Sequence, residues 1–239
     1  MTLAATGISL PGRLKSTDLV LESGHLVALV GPNGGGKTSL LRALAGVEEA
    51  KGTVIIDGED PSSLGEARRR HLLAFLAASR DLAWPIAARD VIALGLSTRD
   101  DDRIADLVLS LELSEFADRP VNSLSTGERT RVLLGRAMAA RPKVLLLDEP
   151  FANLEPYWVL RLGEILRDLA INGTLSLVAL HDLNQLPCFD RALLIADGKV
   201  QMNETPANLI ASERFEEIFR ISASSGGWGI RRADRQSLP

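Results

Sequence analysis

The 239-residue chain is poor in cysteine, in aromatic residues and in long hydrophobic runs. Cys188 is the single cysteine, which excludes a scaffold held by disulfides and fits a reducing compartment. No stretch reaches the ~18 consecutive apolar residues that a membrane-spanning helix needs. The first residues also lack the basic start and apolar core of a signal peptide. The sequence therefore predicts neither a bilayer-embedded protein nor a secreted, disulfide-rich one.

The chain also has only a small excess of negative over positive charge. The 31 acidic and 27 basic residues leave a net charge of −4, so no general attraction to nucleic acid is expected. Apolar residues make up 46% of the chain, which is enough to offset the entropy of folding and to exclude disorder as the dominant state. The composition is typical of an ordinary globular domain.

Predicted strands and helices alternate along the chain. Continuous apolar runs predict buried strands at Leu26–Val30, Val144–Leu147 and Leu175–Leu180. Helical spacing of apolar residues predicts helices at Ser39–Leu44, Arg129–Ala140 and Val159–Ala170. This alternation favours an α/β fold with a mostly parallel sheet covered by helices. The small and polar residues 222–239 are expected to form a poorly ordered extension.

A glycine-rich turn follows the first buried strand. The segment G-P-N-G-G-G-K-T, from Gly31 to Thr38, matches the pattern G-x-x-x-x-G-K-[ST] and has a strand before it and a helix after it. Glycines let several backbone N–H groups turn toward phosphate oxygens, and the helix N-terminus favours negative charge. Lys37 can reach the β- and γ-phosphates, and the Thr38 hydroxyl can bind Mg²⁺. The predicted nucleotide-binding residues here are Gly31, Pro32, Asn33, Gly34, Gly35, Gly36, Lys37, Thr38 and Ser39.

An acidic pair follows the second buried strand. Asp148 is placed to hold Mg²⁺, and Glu149 is placed to polarise a water for attack on the γ-phosphate. Such a pair can also do no more than cap a turn, but its combination with the glycine-rich segment favours a nucleotide site.

These motifs resemble those of the ATP-binding-cassette (ABC) ATPases, and the likeness runs from about Leu26 to Ile221. The discriminating segment is L-S-T-G-E at Leu124–Glu128, which is similar to the family's LSGGQ signature and precedes Asp148 by the family's spacing. The resemblance implies a phosphate-loop (RecA-like) core, an antiparallel β subdomain and a helical signature subdomain at about 79–140, all within one domain at 1–221.

The resemblance also implies that Ser125, Gly127 and Glu128 bind the ATP held by a second copy of the chain, so that a homodimer encloses two ATP molecules. Ser125 also suits the N-cap of the following helix, and both roles use the same geometry. His181, after the third buried strand, matches the family's switch histidine, which contacts the γ-phosphate. The implied catalytic residues are therefore Glu149, His181 and Lys37, and the implied cofactors are ATP and Mg²⁺.

Several positions depart from the family pattern. Thr126 replaces a signature glycine, and because it is β-branched it is expected to have helical or extended dihedrals. Glu155 replaces the aspartate that usually ends the segment after the catalytic glutamate. Ala78-Ser79-Arg80 stands where the family has a glutamine that touches Mg²⁺, which puts ordinary coupling and the rate of hydrolysis in question. No aromatic residue near positions 8–16 is placed to stack on adenine.

The segments 86–95, 180–184, 192–200, 205–206 and 216–219 resemble the ATPases of bacterial importers for iron complexes (siderophores, haem) and vitamin B12. That branch implies transmembrane permease partners, a periplasmic binding protein that acts indirectly, and a peripheral location at the cytoplasmic face of the inner membrane. Two other interpretations stay open, namely an exporter ATPase and a soluble cassette whose dimerisation gates another process.

The segment Ser79–Leu96 is the predicted permease contact because it holds a small apolar cluster of Leu82, Trp84, Pro85 and Ile86. The alternative is that Trp84 packs beneath its own helical lobe.

Overall fold

The computed structural model describes residues 2–79, 84–224 and 227–231. The strands are β1 (Thr2–Leu10), β2 (Leu14–Glu22), β3 (Leu26–Val30), β4 (Lys51–Ile56), β5 (Leu73–Leu76), β6 (Val144–Asp148), β7 (Leu175–Ala179), β8 (Arg191–Ala196), β9 (Lys199–Glu204), β10 (Ile221–Ser224) and β11 (Gly227–Ile230). The helices are α1 (Lys37–Leu44), α2 (Glu66–Leu72), α3 (Ala88–Ala93), α4 (Asp101–Ser110), α5 (Thr126–Met138), α6 (Pro156–Ile171), α7 (Pro206–Ile210) and α8 (Glu213–Phe219).

The central sheet has six strands in the order β5-β6-β7-β3-β8-β9. All neighbours pair in parallel except β8 and β9, which are antiparallel. Every residue of β3, β6 and β7 is buried, as expected for strands covered on both faces. The predicted fold class is therefore confirmed.

Two apolar layers cover this sheet. On one face, α1 and the antiparallel sheet β2-β1-β4 share a cluster with the central strands, in which Leu40 and Leu41 of α1 are fully buried. On the other face, α3, α4 and α5 form a helical lobe that packs in one cluster with α6, α7 and α8. The site described below lies at the edge where β3, β6 and β7 end.

The starts of helices α1 and α5 differ from the sequence-based expectation. Helix α1 begins at Lys37 rather than Ser39, and α5 begins at Thr126 rather than Arg129. The first turns of these helices consist of polar residues and, in α5, a glycine, so they lack the apolar spacing that predicts a helix. The backbone after each N-cap residue is nevertheless already helical.

The extension after residue 221 is the larger correction. Strands β10 and β11 form an antiparallel hairpin, and Trp228 packs against the core, so a poorly ordered tail was the wrong prediction for this part. The predicted boundary at residue 221 falls at the first residue of β10. Residues 225–226 and 232–239 lie outside the described residues. Among the helices that are described, none has both the length and the apolar character needed to cross a membrane.

Candidate functional site

Three neighbouring strands end at the same edge of the central sheet. Strand β3 leads into the glycine loop (residues 31–36), β6 leads into Asp148 and Glu149, and β7 leads into His181. Because adjacent parallel strands present their carboxyl ends together, residues far apart in sequence converge there.

The glycine loop is shaped by close approach to β8. A Cβ atom on Gly31 would lie 2.0 Å from the carbonyl oxygen of Ile195, so a side chain cannot fit at that position. Gly36 has a φ of 110°, which L-residues with side chains rarely adopt, and it forms the N-cap of α1. The loop therefore holds its backbone against the sheet and directs the N-terminus of α1 into the cleft.

Lys37 is buried at the base of this loop, with 8% of its surface exposed. Its Nζ donates hydrogen bonds to the carbonyl oxygens of Gly31 at 2.8 Å and Pro32 at 3.3 Å. Burial lowers the pKa of Lys37 below its ordinary value, while the negative charges of Glu149 and Asp148 act in the opposite direction. The predicted lysine and acidic pair therefore do share one electrostatic site.

Asp148 and Thr38 provide adjacent oxygen atoms. Asp148 is 1% exposed, and the Thr38 hydroxyl donates to its Oδ1 at 3.3 Å. A carboxylate beside a hydroxyl is a set of hard oxygen donors, which suits Mg²⁺ better than softer metals. These two residues thus fit the magnesium site that the sequence predicts.

Glu149 follows at the end of β6 and is half-buried. Its φ of 51° lies in the left-handed region, which is unfavourable for a residue with a side chain and is often found at functional sites. Glu149 lines the nucleotide cleft described next and also a second cavity that contains His181. The backbone conformation of this residue was not predictable from the sequence.

The nucleotide cleft has a volume of about 780 Å³. Its lining includes the loop residues from Pro32 to Ser39, Glu149 and the turn at Asp197-Gly198. The β1–β2 hairpin adds Gly12, Arg13, Leu14 and Lys15 to this lining, and the described lining contains no aromatic side chain.

Arg13 was missed by sequence reasoning. Its guanidinium is ion-paired with Glu48, which also accepts a hydrogen bond from Arg42 at 3.0 Å. These two guanidinium groups lower the pKa of Glu48 below its ordinary value, so the carboxylate stays charged. An arginine in a β-hairpin gives no sequence signal, because its partner lies on a different element.

The second cavity has a volume of about 420 Å³ and brings His181 and Glu149 together. Phe151, Asp182 and Gln185 are among its other lining residues. His181 and Glu149, which the sequence assigns to catalysis, therefore line the same cavity.

The signature segment (residues 124–128) begins helix α5. Ser125 is its N-cap and forms a reciprocal capping box, in which its hydroxyl accepts from the Glu128 amide at 3.3 Å and its own amide donates to the Glu128 carboxylate at 2.8 Å. The predicted N-cap role of Ser125 is confirmed, and Thr126 is helical as expected. Among the described residues that line the nucleotide cleft, none comes from this segment.

The segment after the acidic pair lies near the first turn of helix α5. A Cβ atom on Gly127 would lie 3.7 Å from the carbonyl oxygen of Asn153 and 3.8 Å from a Leu154 methyl group. Gly127 therefore lies near the segment that leads from Glu149 into α6.

Ala78 and Ser79, which replace the family's glutamine, are exposed, and Arg80 lies outside the described residues. The described lining of the nucleotide cleft includes neither Ala78 nor Ser79.

Trp84 projects from the chain with 73% of its surface exposed, so the alternative that it packs beneath its own lobe is wrong. Pro85 and Ile86 beside it are also exposed, whereas Leu82 lies outside the described residues.

The glycine loop, the buried lysine and the aspartate at the end of a parallel strand define an α/β nucleotide-binding protein of the phosphate-loop class. The chain belongs to the ABC transporter family, whose model matches residues 14–152.

Relatives within this family have different transport roles. The chain is 36% identical to the hemin import ATP-binding protein HmuV of Rhodococcus jostii, over 92% of this chain and 80% of that protein. It is 34% identical to the cobalamin import ATP-binding protein BtuD of Halobacterium salinarum over 95% of its own length, but it spans only 61% of that relative. It is also 32% identical to the lipopolysaccharide export system ATP-binding protein LptB of Escherichia coli, over 86% of this chain and 90% of that protein.

A solved structure supports the fold. A dimeric ATP-binding cassette in a post-hydrolysis state, bound to ADP and Pi, matches with a TM-score of 0.76 at 23% identity, over 85% of this chain and 98% of that one.

Proposed function

We propose that this chain is the ATP-hydrolysing, nucleotide-binding subunit of an ABC transporter. The observation that carries the proposal is the convergence of Lys37, Thr38, Asp148 and Glu149 at one edge of the central sheet. We assign the activity to a single ATPase domain at residues 1–221, with a helical subdomain at about 79–140.

Each residue of the site has a distinct role in this proposal. The amides of the glycine loop and the Lys37 ammonium bind the phosphates, which are negative and suit a helix N-terminus. Thr38 and Asp148 hold Mg²⁺, which when bound neutralises charge on the transferred phosphate. Glu149 accepts a proton from the attacking water, and His181 contacts the γ-phosphate from the adjoining cavity.

The signature segment acts in a homodimer. Ser125 is exposed at the N-terminus of α5 and lies outside the nucleotide cleft of its own chain, which supports a role for Ser125, Gly127 and Glu128 in the site of a second copy. The dimeric cassette that shares this fold is consistent with such an arrangement.

The adenine base of ATP is held by a guanidinium group in this proposal and not by an aromatic ring. Arg13 is part of the lining of the cleft, and its planar guanidinium cation can stack on a purine face. Its ion pair with Glu48 restrains it there.

Substitution of Glu149 by Gln tests the proposal. It keeps the shape of the side chain and removes the base, so hydrolysis should fall by at least ~100-fold while an ATP-bound dimer accumulates. Phosphate release and light scattering with ATP would measure the two effects, and Glu115→Gln, at an exposed site, is the matched control. Turnover at the parental rate in Glu149→Gln would rule out Glu149 as the base.

We further propose that the transporter imports an iron complex (a siderophore or haem) or cobalamin. The likeness to HmuV and BtuD supports this branch. The partners are then transmembrane permease subunits and, indirectly, a periplasmic binding protein, without nucleic acid. The chain would act as a peripheral protein at the cytoplasmic face of the inner membrane.

Export is the second candidate, because this chain is similar to LptB over most of the length of LptB. Purification of the chain from its own cells with its membrane partner distinguishes the two. Stimulation of the ATPase by a solute-loaded binding protein supports import, whereas a partner that works without one supports export. A chain that purifies with no membrane protein would favour a soluble cassette.

A further inference from the structure

The C-terminal hairpin is anchored by one aromatic side chain. Trp228 of β11 packs on Phe215 of α8, with ring centroids 5.5 Å apart, and Phe215 is fully buried in the main core. The end of the hairpin is also fixed, because the Arg231 amide donates to the carbonyl oxygen of Arg220 at 3.0 Å. The indole ring therefore has a defined position relative to the core.

The indole N–H of Trp228 points at the segment that follows β7. Its Nε1 donates to Oδ1 of Asn184 at 3.0 Å. The Asn184 amide group in turn donates through Nδ2 to Oδ1 of Asp182 at 2.9 Å, and the Asn184 backbone amide donates to the same oxygen at 2.9 Å. A continuous chain of hydrogen bonds thus runs from the hairpin to the residue next to His181.

His181 lies between two anchors. Before it, the Leu180 amide donates to the carbonyl oxygen of Leu29 at 3.0 Å and fixes the end of β7. After it, Asp182 is held by Asn184, whose side chain is held by Trp228. His181, Asp182 and Asn184 are themselves exposed, so packing against the core does little to fix them.

We propose that Trp228 is a positioning residue, which acts through Asn184 and Asp182 to hold His181 in place in the cavity that it shares with Glu149. The proposal rests on the proposed function, since it presumes that His181 takes part in ATP hydrolysis. The hairpin is then a part of the catalytic apparatus rather than a tail. A side chain misplaced by about 1 Å can cost up to ~100-fold in rate, so an indirect effect of this size is physically reasonable.

Removal of the indole N–H tests this relay in the full-length chain. Trp228→Phe keeps a ring on Phe215 but loses the hydrogen bond to Asn184, and Asn184→Ala breaks the relay at its centre. Both variants should lower kcat for ATP hydrolysis by about tenfold with KM for ATP unchanged, because the phosphate-binding loop is untouched. Ile230→Ala is the matched control, since Ile230 lies on the same hairpin and is 84% exposed.

A double substitution separates positioning from simple support of the fold. If Trp228 acts through His181, adding Trp228→Phe to His181→Ala should cause no further loss of kcat. The melting temperature of Trp228→Phe should stay within about 3 °C of the parent, since the ring contact with Phe215 is kept.

Two results overturn the inference without affecting the proposed function, given that His181→Ala is itself impaired. One is parental kcat in both Trp228→Phe and Asn184→Ala, and the other is a loss from Trp228→Phe that persists in the His181→Ala background. If His181→Ala hydrolyses ATP at the parental rate, the proposed role of His181 fails, and the inference fails with it.

Discussion

Ser176 has an unusual environment for a hydroxyl. It is the second residue of β7 and is fully buried, and its Oγ has no hydrogen-bond partner among the described residues. Its neighbours across the ladder are Leu26 and Leu145, which offer only apolar side chains. A buried hydroxyl left in this state lowers stability, because it has lost its hydrogen bonds to water.

We expect Ser176→Ala to raise the free energy of unfolding by about 1 kcal/mol, because it removes this unpaired group from the core. Denaturant unfolding monitored by circular dichroism would measure the change. Thr130→Val is the matched control, since Thr130 is equally buried but its hydroxyl donates to the carbonyl oxygen of Thr126 at 2.9 Å. The free energy of unfolding of Thr130→Val should be about 1 kcal/mol lower than that of the parent. A Ser176→Ala protein that is clearly less stable than the parent would contradict this account.

At the level of single residues, the chemistry of the site was more predictable than its geometry. The glycine loop, Lys37 and Asp148 follow a motif whose spacing is set by phosphate and metal binding, so the sequence places them directly. The left-handed backbone of Glu149 and the ion pair of Arg13 with Glu48 depend on contacts between distant segments. No local pattern encodes such contacts.

Elements buried on both faces were predicted well. Strands β3, β6 and β7 are continuous aliphatic runs, and each lies within one or two residues of its predicted ends. The β10–β11 hairpin was missed because most of its residues are small or polar, although Trp228 and Ile221 pack against the core. Its stability comes from tertiary contact, which overrides weak local propensity.

Helix α6 begins at a weak cap. Glu155 is its N-cap residue and makes no capping hydrogen bond through its side chain, although Pro156 follows at the favoured first position. Aspartate is one methylene shorter, so its carboxylate can reach the free amides of the first turn.

We therefore expect Glu155→Asp to raise the free energy of unfolding by about 0.5–1 kcal/mol. Thermal unfolding of the two proteins would detect the difference. Glu155→Ala serves as the comparison. It should lower the free energy of unfolding by no more than a few tenths of a kcal/mol, because Glu155 makes no capping hydrogen bond that could be lost. Equal stability of Glu155→Asp and the parent would show that another group already caps this helix.

At the scale of the whole molecule, the exposed residues from Trp84 to Ile86 are the best candidate for a contact with the proposed permease partner. Trp84 and Ile86 present apolar surface beside the helical lobe, and exposed aromatic side chains of this kind are enriched at protein interfaces. The sequence identified this cluster, but only the fold decided that Trp84 faces outward.

We expect Trp84→Ser to leave the ATPase of the isolated chain unchanged, because the residue is absent from the described lining of the nucleotide cleft. Recovery of the membrane partner by co-purification should fall at least tenfold, as is common when an aromatic anchor is removed. Leu160→Ser is the matched control, since Leu160 is 74% exposed on helix α6, away from this segment. Undiminished recovery of the membrane partner with Trp84→Ser would show that the partner binds another part of the surface.

Glu149 lines both the nucleotide cleft and the cavity that contains His181. This position has a pharmacological consequence, because a small molecule lodged on the histidine side would displace the carboxylate without occupying the space that the nucleotide fills. Such a compound would slow turnover while leaving the affinity for ATP intact. Raising the nucleotide concentration would not relieve that inhibition, in contrast to the behaviour of any blocker that competes for the glycine loop.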